Sequence, residues 1–264
     1  MSRIAERFAA CRARDEGALV CYLMAGDPDA RRGAIALAAV AAGGADVIEL
    51  GVPFSDPVAD GRVIEQAALR ALRAGMHLPE IFAQVRAFRQ HYDTPLLLMT
   101  YWNPILQYGP ARMCTEAASA GVDGMLISDL PPEEAGAWLA AARPAGLDTI
   151  FLLAPTSPDS RMRLVAREGS GFIYCVSRLG VTGERSELPA DLFQLIDKIK
   201  SFSDSPVAVG FGLSTPAQVA TVCSHADGAI VGSALVKTIA EAAEGELAAA
   251  VSNFVRALKA ATKG

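Results

Sequence analysis

Two kinds of segment alternate along the chain. Short, unbroken apolar runs occupy 18–24, 47–50, 95–100, 124–128, 147–153, 171–176, 206–209 and 228–231. Between them lie longer stretches with helical composition and spacing, at 30–42, 62–74, 79–92, 110–120, 132–142, 158–168, 188–202 and 215–224. A short amphipathic helix is predicted at 4–14, and two more helices follow the last run, at 233–243 and 246–262. Runs that are apolar nearly throughout, not at alternate positions, fit parallel strands covered on both faces. Turn signals punctuate the pattern at Gly26-Asp27-Pro28, Gly43-Gly44 and Gly75. Pro79 stands where a first-turn proline is tolerated. About eight strand–helix units predict a single-domain (β/α)8 TIM barrel over residues 1–264, with extra helices at the N-terminus and after strand eight. An open doubly wound sheet is the alternative, but no strand–GxGxxG–helix fingerprint supports it.

Composition narrows the class. With 52% hydrophobic and 20% charged residues, the chain can bury a sizeable core and is not a disordered segment. A net charge of −5 offers no basic field for nucleic acid, although backbone amides can still hold a small phosphorylated ligand. The five cysteines (Cys11, Cys21, Cys114, Cys175 and Cys223) form no CxxC pair. Cys21 and Cys175 read as core thiols, which fits a reducing cytoplasm. The first residues carry no apolar signal core, and the longest low-charge run, 33–45, is too short to span a bilayer.

The stretch from Ala45 to Gly61 carries the candidate chemistry. Glu49 sits in an apolar strand, where an unpaired charge is costly unless it is used. Asp60 closes the following loop, just before a helical pattern. Each has an ordinary alternative: a salt-bridged core carboxylate for Glu49, a helix N-cap for Asp60. Asp56 before Pro57 reads equally as a turn residue, and Tyr174 as core with its hydroxyl satisfied locally. In a βα barrel the site lies at the C-terminal ends of the strands, where these residues fall. Gly210-Phe211-Gly212 after strand seven and Gly232-Ser233 after strand eight let backbone amides approach an anion, and a helix starting at Ser233 would aim its N-terminal amides there. Gly183, in the loop after strand six, adds a further amide. One such glycine alone more often marks only a tight turn; three successive loops shift the balance towards an anion site. No lysine ends a predicted strand, which disfavours a Schiff base, and His77, His91 and His225 lack ligand spacing, which disfavours a metal.

These motifs resemble the α-subunit family of tryptophan synthase. The similarity runs through Gly26-Asp27-Pro28, the unbroken stretch from Glu49 to Gly61, Ser177 to Gly183, Gly210 to Ser214, and Gly232 to Lys237. The resemblance implies retro-aldol cleavage of indole-3-glycerol phosphate to indole and glyceraldehyde 3-phosphate, in tryptophan biosynthesis. It implies Glu49 as general acid–base and Asp60 as acceptor of the indole N–H. It also implies Gly183, Gly212, Gly232 and Ser233 as phosphate site and Phe211 and Tyr174 as pocket. No cofactor is implied in this chain; pyridoxal phosphate is expected in a β partner, within an α2β2 heterotetramer, touched by the loops of Asp56 and Thr182. Arg62 stands where many members have proline, and Trp102 beside Tyr101 is a second departure. A phosphosugar isomerase or epimerase on the same scaffold is the competing enzyme class. A non-catalytic subunit that kept the phosphate site is the competing non-enzyme, disfavoured by intact Glu49 and Asp60.

Overall fold

The structure, a computed structural model, describes residues 2–176, 191–210 and 212–263. The elements run α1 (Arg3–Arg12), β1 (Ala18–Met24), α2 (Ala30–Ala42), β2 (Val47–Gly51), α3 (Arg62–Arg73), α4 (Leu78–Arg89), β3 (Leu96–Thr100), α5 (Trp102–Tyr108), α6 (Pro110–Ala120) and β4 (Gly124–Ile127). They continue as α7 (Gly136–Ala142), β5 (Asp148–Leu153), α8 (Asp159–Glu168), β6 (Ile173–Val176), α9 (Leu192–Lys200), β7 (Val207–Gly210), α10 (Pro216–Cys223), β8 (Gly228–Val231), α11 (Ser233–Glu241) and α12 (Leu247–Ala260). The strands close a barrel in sequence order, all neighbours parallel, with β8 returning to β1. This is the predicted (β/α)8 architecture, with extra helices before β1 and after β8. No helix among the described residues is long and apolar enough to cross a membrane.

Most ends fall within a few residues of expectation, and two differences have physical causes. The predicted helix at 132–142 starts only at Gly136, because 131–135 forms a tight turn with the Glu134 amide on the Pro131 carbonyl at 3.0 Å. The helix expected over 188–202 is described from Leu192 to Lys200, and 188–190 lie outside the described residues. Helix α5 was not expected. Its seven residues bury only Ile105 and include Pro104, too little to show a helical period, and Gly109 ends it at φ 90°.

Two apolar layers result. Outward-facing strand residues pack under the helices, while Val20, Val47, Leu97, Leu126, Ile150, Phe172 and Ile230 fill the barrel. Helix α1 closes the floor by placing Ile4, Phe8 and Cys11 against this inner layer. Burial of a side chain such as Ile4 or Phe8 is worth about 2 kcal/mol.

The floor is also wired with aspartates at strand starts. Asp46, Asp123 and Asp227 each accept the amide of a neighbouring strand, from Leu19 at 2.9 Å, Leu96 at 2.8 Å and Val207 at 3.0 Å. Each also meets a cation: Lys259 at 2.7 Å from Asp46, Arg89 at 2.6 Å from Asp123, Arg12 at 2.7 Å from Asp227. Helix α1 adds Arg7 to Asp46 and Arg3 to Asp123. Ser2, its N-cap, donates its hydroxyl to Asp148 of β5.

Candidate active site

At the opposite end, β2 carries Glu49 at its third position, in register with Tyr22 of β1 and Leu97 of β3. Period-2 alternation turns Glu49 inward with Val47. The side chain is 1% exposed, its Oε1 makes no hydrogen bond, and no described cation pairs with it. Burial, then the neighbouring Asp60, push its carboxyl up to about 8. The salt-bridged reading of Glu49 therefore fails.

Asp60 is half-buried beside it. Burial pushes its carboxyl up to about 6, opposed by the nearby Tyr101 hydroxyl. The capping alternative fails too: the N-cap of α3 is Gly61, with no side-chain cap bond. Behind this loop Asp27 is held by Arg70 of α3 through two bonds of 2.7 and 2.9 Å, which ties the Gly26-Asp27-Pro28 turn to the helix that follows Asp60.

A cavity opens at this end. Glu49, Asp60, Tyr174, Gly212, Gly232 and Ser233 all line it, so six of the expected site residues meet there. Gly183 and Phe211, also expected, lie outside the described residues. The remaining wall is Tyr22, Ile64, Met99, Leu213 and Ile230, an apolar slot.

Two glycines make room for tyrosines. A Cβ on Gly51 would stand 2.3 Å from the Tyr22 hydroxyl, and one on Gly210 would stand 2.3 Å from the Tyr174 hydroxyl. Each tyrosine thus lies across the end of the next strand, roofing the barrel interior below the cavity. On the β8 side, Gly232 is the N-cap of α11 and the buried Ser233 is its first residue. The first amides of a helix lack intrahelical acceptors, so they are available to an anion. Gly212 contributes a φ of 97°, a left-handed conformation that a side chain would strain.

Sequence reasoning missed Tyr22, Ile64, Met99, Leu213 and Ile230. Tyr22 had a signal: it stands two residues from the end of its strand, as Tyr174 does, each register-matched to an inward position. Met99, Leu213 and Ile230 are ordinary apolar residues whose role depends on closure of the barrel.

The family model for the tryptophan synthase alpha chain matches residues 8–263. The alpha chain of Geotalea uraniireducens is 50% identical over 263 residues, covering 100% of this chain and 98% of that one. That of Gluconobacter oxydans is 51% identical over 245 residues, covering 92% and 91%. Among solved structures, Mycobacterium tuberculosis tryptophan synthase superposes with a TM-score of 0.92 at 39% identity, covering 100% of this chain and 99% of that one. The Legionella pneumophila alpha chain gives 0.90 at 35% identity, with 99% and 97% covered.

Proposed function

The chain belongs to the tryptophan synthase alpha chain family, and from that premise we propose how its cavity performs the family's reaction. The protein is a carbon–carbon lyase that cleaves indole-3-glycerol phosphate to indole and glyceraldehyde 3-phosphate, and it works with a β subunit. In our reading the indole ring occupies the slot of Ile64, Met99, Leu213 and Ile230. Asp60 accepts the ring N–H and stabilises positive charge as it develops there. Glu49, protonated at neutral pH, gives its proton to ring C3. As carboxylate it then takes the proton of the side-chain hydroxyl. That hydroxyl becomes the aldehyde as the C3–carbon bond breaks, and the bonding electrons return to the ring. Glu49 ends protonated, ready for the next turnover. The phosphate sits on the amides of Gly212, Gly232 and Ser233, with Gly183 and Phe211 as further members of the site.

One observation carries this: a carboxyl that is fully buried and unpaired at Oε1, beside a second carboxylate, so that burial favours its protonated form. An isomerase of phosphosugars would need a polar pocket; the apolar slot favours an indole. We place pyridoxal phosphate in the β subunit, because no lysine is among the described lining residues to hold it. We further propose a single domain over residues 1–264, an α2β2 assembly, and a cytoplasmic setting in which the five free thiols persist. Val58, 77% exposed in the loop after β2, and Leu106, 50% exposed on α5, form the proposed β contact. The test is an indole-release assay on the purified chain with and without the β subunit. Indole should appear in both, faster in the complex; none in either would overturn the reading.

A further inference from the structure

Strand β1 lies between β8 and β2 in the closed sheet, and Tyr22 faces the cavity from it. Its side chain bridges the two neighbours. The root lies beside Gly232 at the β8 end: a Cβ on that glycine would stand 3.4 Å from the Tyr22 Cβ and 3.5 Å from its Cδ1. The tip lies over Gly51 of β2, where a Cβ would stand 2.8 Å from Cζ and 2.3 Å from the hydroxyl. Tyr22 is 6% exposed and lines the cavity together with Glu49, its register partner. Among the described residues, nothing is hydrogen-bonded to its hydroxyl. A phenol can both donate and accept, and a buried one usually finds a partner.

We propose that Tyr22 is a specificity-determining residue of the lyase, its hydroxyl hydrogen-bonding the central hydroxyl of the substrate's three-carbon chain. This rests on the reading of the site given above. There the phosphate sits on amides at the β8 end, and the carbon next to the ring sits at Glu49 on β2. The chain joining them must cross β1, and the Tyr22 ring spans the same gap. The phosphate has the amides, and the hydroxyl next to the ring has Glu49. The central hydroxyl, which the aldehyde product retains, has no other assigned partner. One unpartnered hydroxyl on the protein thus meets one on the substrate. A site built to hydrogen-bond a substrate hydroxyl rejects the analogue lacking it, because its own polar group is then left buried and unpaired.

The experiment measures indole release by the full chain assembled with the β subunit, on indole-3-glycerol phosphate and on the analogue with hydrogen in place of the central hydroxyl. Tyr22→Phe keeps the ring between Gly232 and Gly51 and removes only the hydroxyl. We expect kcat/KM on the natural substrate to fall about thirtyfold. On the analogue the same substitution should cost less than about twofold, because the bond it removes is already absent. Where turnover of the analogue is too slow to follow, its inhibition constant gives the same comparison. The urea midpoint should stay where it is, since the hydroxyl holds nothing in the free protein. Equal losses on both substrates would mean that Tyr22 acts through packing or through the hydroxyl next to the ring, and would overturn the proposal. No loss on either would overturn it as well. A wrong reading of the site itself shows differently: the unaltered chain would release no indole from the natural substrate, and both readings would fall together.

Discussion

The two ends of the barrel treat buried carboxylates in opposite ways. At the floor, Asp46, Asp123 and Asp227 each have a strand amide and a cation within hydrogen-bond reach. At the mouth, Asp27 is paired with Arg70 in the same manner. Glu49 and Asp60 differ from these: no described cation pairs with them, and burial pushes their carboxyls up to about 8 and about 6; buried Asp148 at the floor also lacks a described cation but takes the Ser2 hydroxyl, whereas Glu49 Oε1 has no partner. A paired carboxylate holds the fold; an unpaired one is destabilising and persists where its proton is put to use. The difference separates structural from chemical acids within one sheet.

The largest test of that division is Glu49→Gln. Loss of general acid–base transfer should lower kcat by about 1,000-fold, with substrate binding retained in a direct titration. Retention of most activity would return Glu49 to the structural acids. The same variant should be more stable. The folded carboxyl sits near 8 against an ordinary 4.5, so around neutrality folding must protonate a group that is ionised when unfolded. At about pH 7 this costs about 3 kcal/mol, which a neutral Gln avoids. The gain should show in urea melts near neutrality and vanish as pH falls below the unfolded value.

Asp123→Ala probes the other end. It strands Arg89, itself largely buried, and leaves the Leu96 amide without its acceptor. We expect a loss of about 3 kcal/mol in urea unfolding with kcat unaltered. A lowered kcat at preserved stability would break the division between the two ends. Asp60→Asn should fall between, slowing indole release about fiftyfold without abolishing it, since an amide still accepts a hydrogen bond but carries no charge. Indoles of altered ring basicity should respond unequally, and an unchanged rate would dismiss its charge from the mechanism.

Much of this could be read along the chain, because it depends on local pattern. Continuous apolar runs give the strands, and a carboxylate within one of them, Glu49, marks the mouth. Asp60 was ambiguous between a cap and a functional anion; only the position of Gly61 as N-cap separates the two. The floor was invisible in one dimension: nothing near Asp123 in sequence announces Leu96, Arg89 and Arg3 as its partners, since these contacts appear only when the barrel closes. Tyr101 escaped for the same reason. Its partners Phe54 and Ala59 arrive from the neighbouring loop, and helix α5 behind it is too short to show a period.

The smallest effect is expected from Arg12→Ala, and it sharpens what makes the floor strong. Arg12 is 66% exposed where it meets Asp227, so the pair is screened and worth less than about 1 kcal/mol. Burial raises the Asp227 carboxyl, yet the Val207 amide, Arg12 and Lys200 together hold it below its ordinary 3.8. A depressed carboxyl contributes stability above the unfolded value and loses it as pH falls through the folded one. Removing Arg12 should therefore shift acid unfolding slightly to higher pH and lower the urea midpoint slightly at low salt, with the difference shrinking as salt is added. A deficit that persisted in high salt would mean that the arginine, not the amide–carboxylate bond, carries this corner. Glu49 must respond to acid in the opposite sense, because its penalty is relieved as pH falls. One acid titration of stability, run on Arg12→Ala and Glu49→Gln side by side, thus reads the floor and the mouth as slopes of opposite sign.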